Sequence, residues 1–290
     1  MIDMHLHVLP AIDDGAKDMD EATAMLSTLK AMGFDRIVAT PHLMEPLSDA
    51  YHLQAIKAMN QISHVAAEVG IAMGLGYEHL LTGTLARRLK EGEPSTLAGS
   101  HAVLVELPFM HWPADTAHSL YTLRDAGYQP VLAHPERYLD AVSSPHLVTD
   151  AAVHGAVPQL TTGSFIGLYG ADAQRLCRML ARDLLERDLP FILSSDGHSN
   201  GRRLTSVADG LAWIGSNMAY GQQIVEWATE VVPLELVSDA QPSSFRAWLR
   251  REHAEMTQPE PGTWDQNAED LRAESDRPRG FSRLFRSRRS

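Results

Sequence analysis

Short apolar runs alternate with longer amphipathic stretches along most of the chain. The runs predict strands at residues 3–7, 36–40, 71–75, 101–107, 130–133, 157–160 and 191–194. The stretches between them carry helical spacing. Asp18 can cap the first helix, Glu21 completes a capping box, and Ala22, Met25, Leu26, Leu29 and Met32 mark its apolar face before Gly33 ends it. Further helices are expected at about 49–69, where Leu53, Ile56, Ile62 and Val65 are among the apolar positions. Others are expected at 116–126, 146–154, 171–187, 206–218, 224–228 and 245–249. Repeated strand–helix units with short connections predict an α/β fold, a parallel sheet covered by helices.

Donor residues sit where these strands stop. His5 and His7 are two apart on the first strand, so both can face one ion. Asp14 follows in the loop Asp13-Asp14-Gly15. His42, Glu78, Glu106 and His134 each lie at or just beyond the end of a short apolar run, and Asp196 and His198 follow the last one. A doubly wound sheet gathers its site at one crevice. Donors at nearly every strand end require a closed or nearly closed barrel, with the first and last strands as neighbours. Each donor alone has an ordinary explanation: strand histidines, a turn aspartate, solvated carboxylates. Their combined pattern points to a metal centre. Imidazole and carboxylate together suit Mn2+, Fe2+ or Zn2+.

Composition narrows the picture. The chain has 290 residues, 44% hydrophobic and 21% charged, as expected for one large globular domain. A formal net charge of −12 argues against a general nucleic-acid binder. The single cysteine, Cys177, lies in a helical apolar pattern that reads as a buried thiol, and the lack of a disulfide framework fits the cytoplasm. No basic leader precedes His5, and no apolar stretch approaches the ~18–20 residues that span a bilayer. The core domain is therefore expected over residues 1–256. From 257 to 290, prolines, glycines and charged residues predict a disordered tail. Its end, with Arg283, Arg286, Arg288 and Arg289 beside Phe281, Leu284 and Phe285, suits contact with an anionic membrane face or a partner.

The motifs at 2–10 and 12–18, Ala39-Thr40-Pro41-His42, His134-Pro135-Glu136-Arg137-Tyr138, Thr162-Gly163-Ser164-Phe165-Ile166-Gly167 and Ser195-Asp196-Gly197-His198 occur in consistent order over roughly residues 1–250. In these the sequence resembles a PHP (polymerase and histidinol phosphatase) domain. More narrowly, it is similar to the bacterial manganese-dependent protein-tyrosine phosphatases of capsular and exopolysaccharide loci. The resemblance implies a distorted (β/α)7 TIM-like barrel and three divalent ions, Mn2+ foremost, with Fe2+, Mg2+, Co2+ or Zn2+ as alternatives. It implies ligation by His5, His7, Asp14, His42, Glu78, Glu106, His134, Asp196 and His198. Glu78 would bridge, with His5, His7 and Asp196 on one ion, Glu106 and His134 on a second, and Asp14, His42 and His198 on the third.

That ligand set carries about −4, which three divalent ions would reverse to about +2, so a phosphate dianion can enter an acidic protein. Arg137 is the candidate phosphate clamp. Arg137, Asp196 and His198 are the candidate catalytic residues, and His198 or an ion-held water remain alternatives as proton donor. The resemblance further implies the phosphorylated tail of a bacterial tyrosine kinase as partner, at the inner face of the membrane, and leaves homo-oligomerisation open. In the familiar subgroup a second cation often follows the third-motif histidine, whereas Leu43-Met44-Glu45 stands here. A small-molecule phosphatase of the histidinol-phosphatase type and a non-catalytic kinase-binding scaffold with a structural metal cluster are the competing readings.

Overall fold

The computed structural model describes residues 1–44, 46–108 and 111–252. The tail expected at 257–290 lies outside the described residues. Nine strands are seen among them: β1 (Ile2–Leu6), β2 (Arg36–Ala39), β3 (His42–Leu43), β4 (Ala72–Leu75), β5 (Glu78–Leu80), β6 (Ala102–Glu106), β7 (Gln129–Ala133), β8 (Val157–Thr161) and β9 (Ile192–Ser194). The helices are α1 (Met19–Ala31), α2 (Asp49–Val69), α3 (Leu85–Lys90), α4 (Thr116–Asp125), α5 (Leu139–Ser143) and α6 (His146–Val153). They continue with α7 (Ala171–Glu186), α8 (Arg202–Asn217), α9 (Gly221–Glu226), α10 (Val232–Val237) and α11 (Phe245–Glu252).

Every strand pair is parallel, and the strands form one sheet ordered β1-β2-β4 and another ordered β3-β5-β6-β7-β8-β9. Pro41, which lacks an N–H, falls between β2 and β3. Gly76 and Tyr77 make the matching break between β4 and β5. Hydrogen bonds from the Gly76 N–H to the Ala39 carbonyl (2.9 Å) and from the Glu78 N–H to the Pro41 carbonyl (3.1 Å) carry the pairing across. At the other edge the Asp196 N–H donates to the His5 carbonyl (3.0 Å) and the His7 N–H to the Gly197 carbonyl (2.9 Å). The first and last strands are thus neighbours, as their donor motifs predicted.

The core has two parts. One packs α1 and α2 onto β1 and β2 through Leu6, Met25, Leu26, Leu29, Phe34 and Ile62. The other fills the space around β6–β9 with Val103, Val131, Leu160, Phe191, Trp227 and Phe245. The α1 cap forms as expected, the Asp18 side chain accepting from the Glu21 N–H. Along α2 the buried positions are Ala55, Ala58, Ile62 and Ala66, whereas Leu53 is 52% exposed. Ile62 is buried as expected, and the small Ala55, Ala58 and Ala66 beside it let α2 lie close to its neighbour α1. Helix α8 begins at Arg202, four residues before the expected start, after a Gly201 cap that has no side-chain acceptor to mark it. Cys177 is fully buried, as expected, and burial pushes its thiol well up.

Candidate metal centre

The nine predicted donors meet in one cluster, most of them at or just beyond the C-terminal ends of strands. Alternation along β1 puts His5 on the same side as His7 just beyond it, with their Nε2 atoms 3.1 Å apart. His42 and Glu78 open β3 and β5 and stand in register. Glu106 closes β6 opposite Leu80. His134 follows β7 and Asp196 follows β9, and both have left-handed backbones (φ 33° and 50°). Such conformations cost a non-glycine residue energy and are held only by the structure around them. The loop carrying Asp14 is tied down at Gly15, where a Cβ would lie 2.2 Å from the His7 carbonyl oxygen, so no other residue fits.

Glu78 is the hub. Its Oε1 lies 2.8 Å from His134 Nε2, and its Oε2 lies 2.9 Å from His42 Nδ1, 3.2 Å from His5 Nε2 and 3.3 Å from His7 Nε2. Asp196 Oδ1 is 3.4 Å from His5 Nε2, and Asp14 Oδ1 is 3.3 Å from His42 Nε2 and 3.4 Å from His198 Nε2. Four sets of donor atoms come within 4.8 Å of one another: His7, Asp14, His42 and His198; His5, His7 and Asp196; His5, Glu78 and His134; His42, Glu78 and Glu106. Two of the expected groups recur here. The third differs: Glu106 stands with His42, which approaches Glu78 Oε2, whereas His134 approaches Oε1 and stands with His5. Most donors are buried, but the Asp14 side chain is 69% exposed.

The donor chemistry fits divalent cations. Glu78 Oε2, Glu106 Oε1 and His42 Nδ1 are shielded from solvent yet make no hydrogen bond, although the first and last are in close approach. Their lone pairs converge rather than pair, the arrangement a cation satisfies and a hydrogen-bond network does not. Charge is held in tension. Burial opposes protonation of His7, but the hydrogen bond to Asp13 and the nearby Glu78 carboxylate overcome it and raise the imidazole to about 10. Burial and the Glu78 charge push Glu106 up to about 7. Burial would raise Asp196, yet the nearby His5, His134 and Arg137 charges bring it down. Burial and His7 hold His198 down at about 4, neutral and suited to ligation.

Residues outside the predicted set orient the donors. Asp13, read from the sequence only as a turn residue, places Oδ2 2.7 Å from His7 Nδ1 and accepts the His42 N–H at 3.1 Å. Gln159, in the middle of β8, does the same for His5. Such partners fix which ring nitrogen faces an ion. Arg137 forms a buried ion pair with Asp196, not a surface bridge, and its guanidinium lies 4.4 Å over the Tyr169 ring. Arg203 also lies over the Tyr169 ring, 5.6 Å from its centre, with its Nη1 2.7 Å from His198 Nδ1 and 3.8 Å from Asp196 Oδ2. A second cation is therefore present at the site, supplied by α8 and not by the residues after His42. Its position five residues after His198 was the available sequence signal.

Among the other histidines, His79 faces away from the donors and bonds the Ser95 carbonyl, and His52 meets the Tyr77 hydroxyl. No described helix is long and apolar enough to cross a membrane.

Known proteins are similar in sequence and fold. The tyrosine-protein phosphatase YwqE of Bacillus subtilis is 30% identical over 201 residues, covering 69% of this chain and 78% of its own. The tyrosine-protein phosphatase CpsB of Streptococcus pneumoniae is 28% identical over 207 residues, covering 69% and 83%. A solved structure from work on those two metal-dependent tyrosine phosphatases superposes with a TM-score of 0.72 at 27% identity, over 84% of this chain and 98% of that one. Residues 1–230 match the family described as capsular polysaccharide synthesis, CpsB/CapC. With its donors in place on the shared fold, the chain belongs to that CpsB/CapC family.

Proposed function

We propose that the chain is a metal-dependent protein-tyrosine phosphatase that hydrolyses phosphotyrosine on the tail of a bacterial tyrosine kinase controlling polysaccharide synthesis or export. The observation that carries this reading is the convergence of imidazoles and carboxylates around Glu78 with two guanidinium groups at their edge. His5, His7, Asp14, His42, Glu78, Glu106, His134, Asp196 and His198 would hold three divalent ions, Mn2+ foremost, inside one distorted (β/α)7 barrel of the domain 1–256. Such ions, when bound, supply Lewis acidity that activates water and neutralises phosphate oxygens.

The chain's own residues do the rest. Gln159 and Asp13 aim His5 and His7. Arg137 offers a planar fork that binds two oxygens of a phosphate, and Tyr169 stacks beneath it to hold the plane. Arg203 adds a second positive charge beside Tyr169 and Asp196. Asp196 orients Arg137 through their ion pair. His198, neutral at physiological pH, serves better as ligand than as proton donor. A tyrosine leaving group has a reference pKa of about 10 and departs with less protonation than an alkyl alcohol needs. This function puts the protein in the cytoplasm beside the inner membrane face, where a kinase tail is displayed.

The test compares initial rates of the Mn2+-loaded protein on a phosphotyrosine peptide and on histidinol phosphate. Preference for the peptide is expected. Preference for histidinol phosphate overturns the substrate assignment, and binding of a phosphorylated tail without phosphate release leaves the scaffold reading standing instead.

A further inference from the structure

A cavity of about 440 Å³ lies beside the metal centre on the same rim. Arg137 and Tyr169 bound it on the side of the donors, and Leu139, Val142, Ala171 and Ala173 supply apolar walls from α5 and the start of α7. Two acids reach it: Glu136 turns its Oε1 to the Ser164 hydroxyl and the Thr161 N–H while its Oε2 is shielded from solvent, and Asp172 is 3.0 Å from Arg175.

We propose that this cavity is a specificity subsite that takes an uncharged apolar side chain flanking the phosphotyrosine of a polypeptide substrate. The inference rests on the phosphatase reading above. Continuity with the site is its first support: Arg137 contacts Asp196 and also lines the cavity. A side chain in the cavity is therefore close to any phosphate held by that guanidinium, and consecutive residues of a peptide are only ~3.8 Å apart at their Cα atoms.

The chemistry of the walls is the second support. Aliphatic side chains with few polar groups are the lining expected of a pocket for an apolar group. Leu139 at this cavity is 49% exposed, a large apolar surface that a bound peptide would cover. The third is Tyr169, which lines the cavity and lies 4.4 Å beneath the Arg137 guanidinium, so that the cavity wall and the phosphate-facing cation form one continuous surface. A small phosphomonoester would reach the donors and leave all of these features unused.

The experiment compares three substrates with the Mn2+-loaded protein: a phosphotyrosine peptide with leucine on both sides of the tyrosine, the same peptide with glycine there, and phosphotyrosine itself. Wild type and the variants Val142→Trp and Leu139→Asp are assayed. The leucine peptide is expected to exceed the glycine peptide in kcat/KM by roughly tenfold, mainly through KM. In both variants that ratio should fall toward one. Leu139 is half exposed, so its variant keeps the test open if Val142→Trp does not fold. A wild-type ratio near one, or variants that slow all three substrates in equal proportion, overturns the subsite. Failure to hydrolyse any phosphotyrosine substrate sinks the phosphatase reading and this inference with it, whereas equal hydrolysis of all three sinks the inference alone.

Discussion

The side-chain oxygen of Gln159 lies 2.9 Å from Nδ1 of His5 and accepts the backbone N–H of His134 at 3.1 Å. One amide on β8 thus ties a donor of β1 to the donor that follows β7. With Nδ1–H directed at this oxygen, His5 presents its Nε2 lone pair toward Glu78 and Asp196. Gln159→Leu should weaken Mn2+ binding by about 10- to 100-fold, the usual cost of losing such a partner. Gln159→Glu, which keeps an acceptor, should weaken it less. Titration calorimetry with Mn2+ on metal-stripped protein measures both, and equal affinities in the two variants would remove the orienting role.

Arg137 combines a flat contact with Tyr169 and an ion pair with Asp196. Lysine keeps the charge but not the plane or the fork. Arg137→Lys should raise KM for a phosphotyrosine peptide by about 10- to 100-fold, matching the ~1.5–3 kcal/mol of one hydrogen bond to a charged group. Its metal content should stay unchanged. Normal kinetics in this variant would reject the clamp.

Metal uptake should be linked to protons. Without an ion, His7 holds its proton up to about pH 10 and Glu106 up to about pH 7. Ligation must displace both, so affinity rises with pH, by up to ~10-fold per unit for each proton released. His5 and His42 are raised as well, so the slope should be steeper below pH 7, where Glu106 gives up its proton along with the imidazoles, than above it. Calorimetry in buffers of different ionisation enthalpy checks the count, and an affinity flat between pH 6 and 8 contradicts it.

His79 offers a separate titration in the core. Burial pushes it down to about 4, against a hydrogen bond to the Ser95 carbonyl. An unfolded histidine takes its proton near 6.5, so between these values the unfolded chain binds a proton that the folded chain refuses. Stability therefore falls as pH drops from 6.5 toward 4. The loss attributable to this residue is about 2 kcal/mol between pH 7 and pH 5. Urea unfolding of metal-stripped protein at those two pH values should show a shallower pH dependence in His79→Gln; an unchanged dependence would mean the ring is protonated when folded.

Much of this architecture was legible because donors and strands share a short-range code. The spacing of His5 and His7 follows from strand geometry alone, and Pro41 and Pro108 mark strand ends by what their nitrogens lack. Register between strands is not written locally. The grouping of Glu106 with His42, and of His134 with His5, depends on how β3, β5, β6 and β7 align, which no single segment records. Gln159 looks like a polar interruption of an apolar strand until β1 is placed beside it. Asp13 has the signature of a turn, and it does bond the Gly15 N–H, which conceals its second contact with His7. Arg203 is hidden in the sequence because α8 follows a glycine with no side-chain cap to mark the helix start.

The donors differ in depth, from Glu78 sealed at the hub to Asp14 facing water. An ion at the inner end can leave only by parting several enclosed imidazoles and carboxylates at once. One at the Asp14 end departs by letting go of a carboxylate already bathed in solvent. Exchange rates should therefore be graded along the cluster, with the outermost cation tracking the free supply in its surroundings while the innermost stays as a permanent fixture.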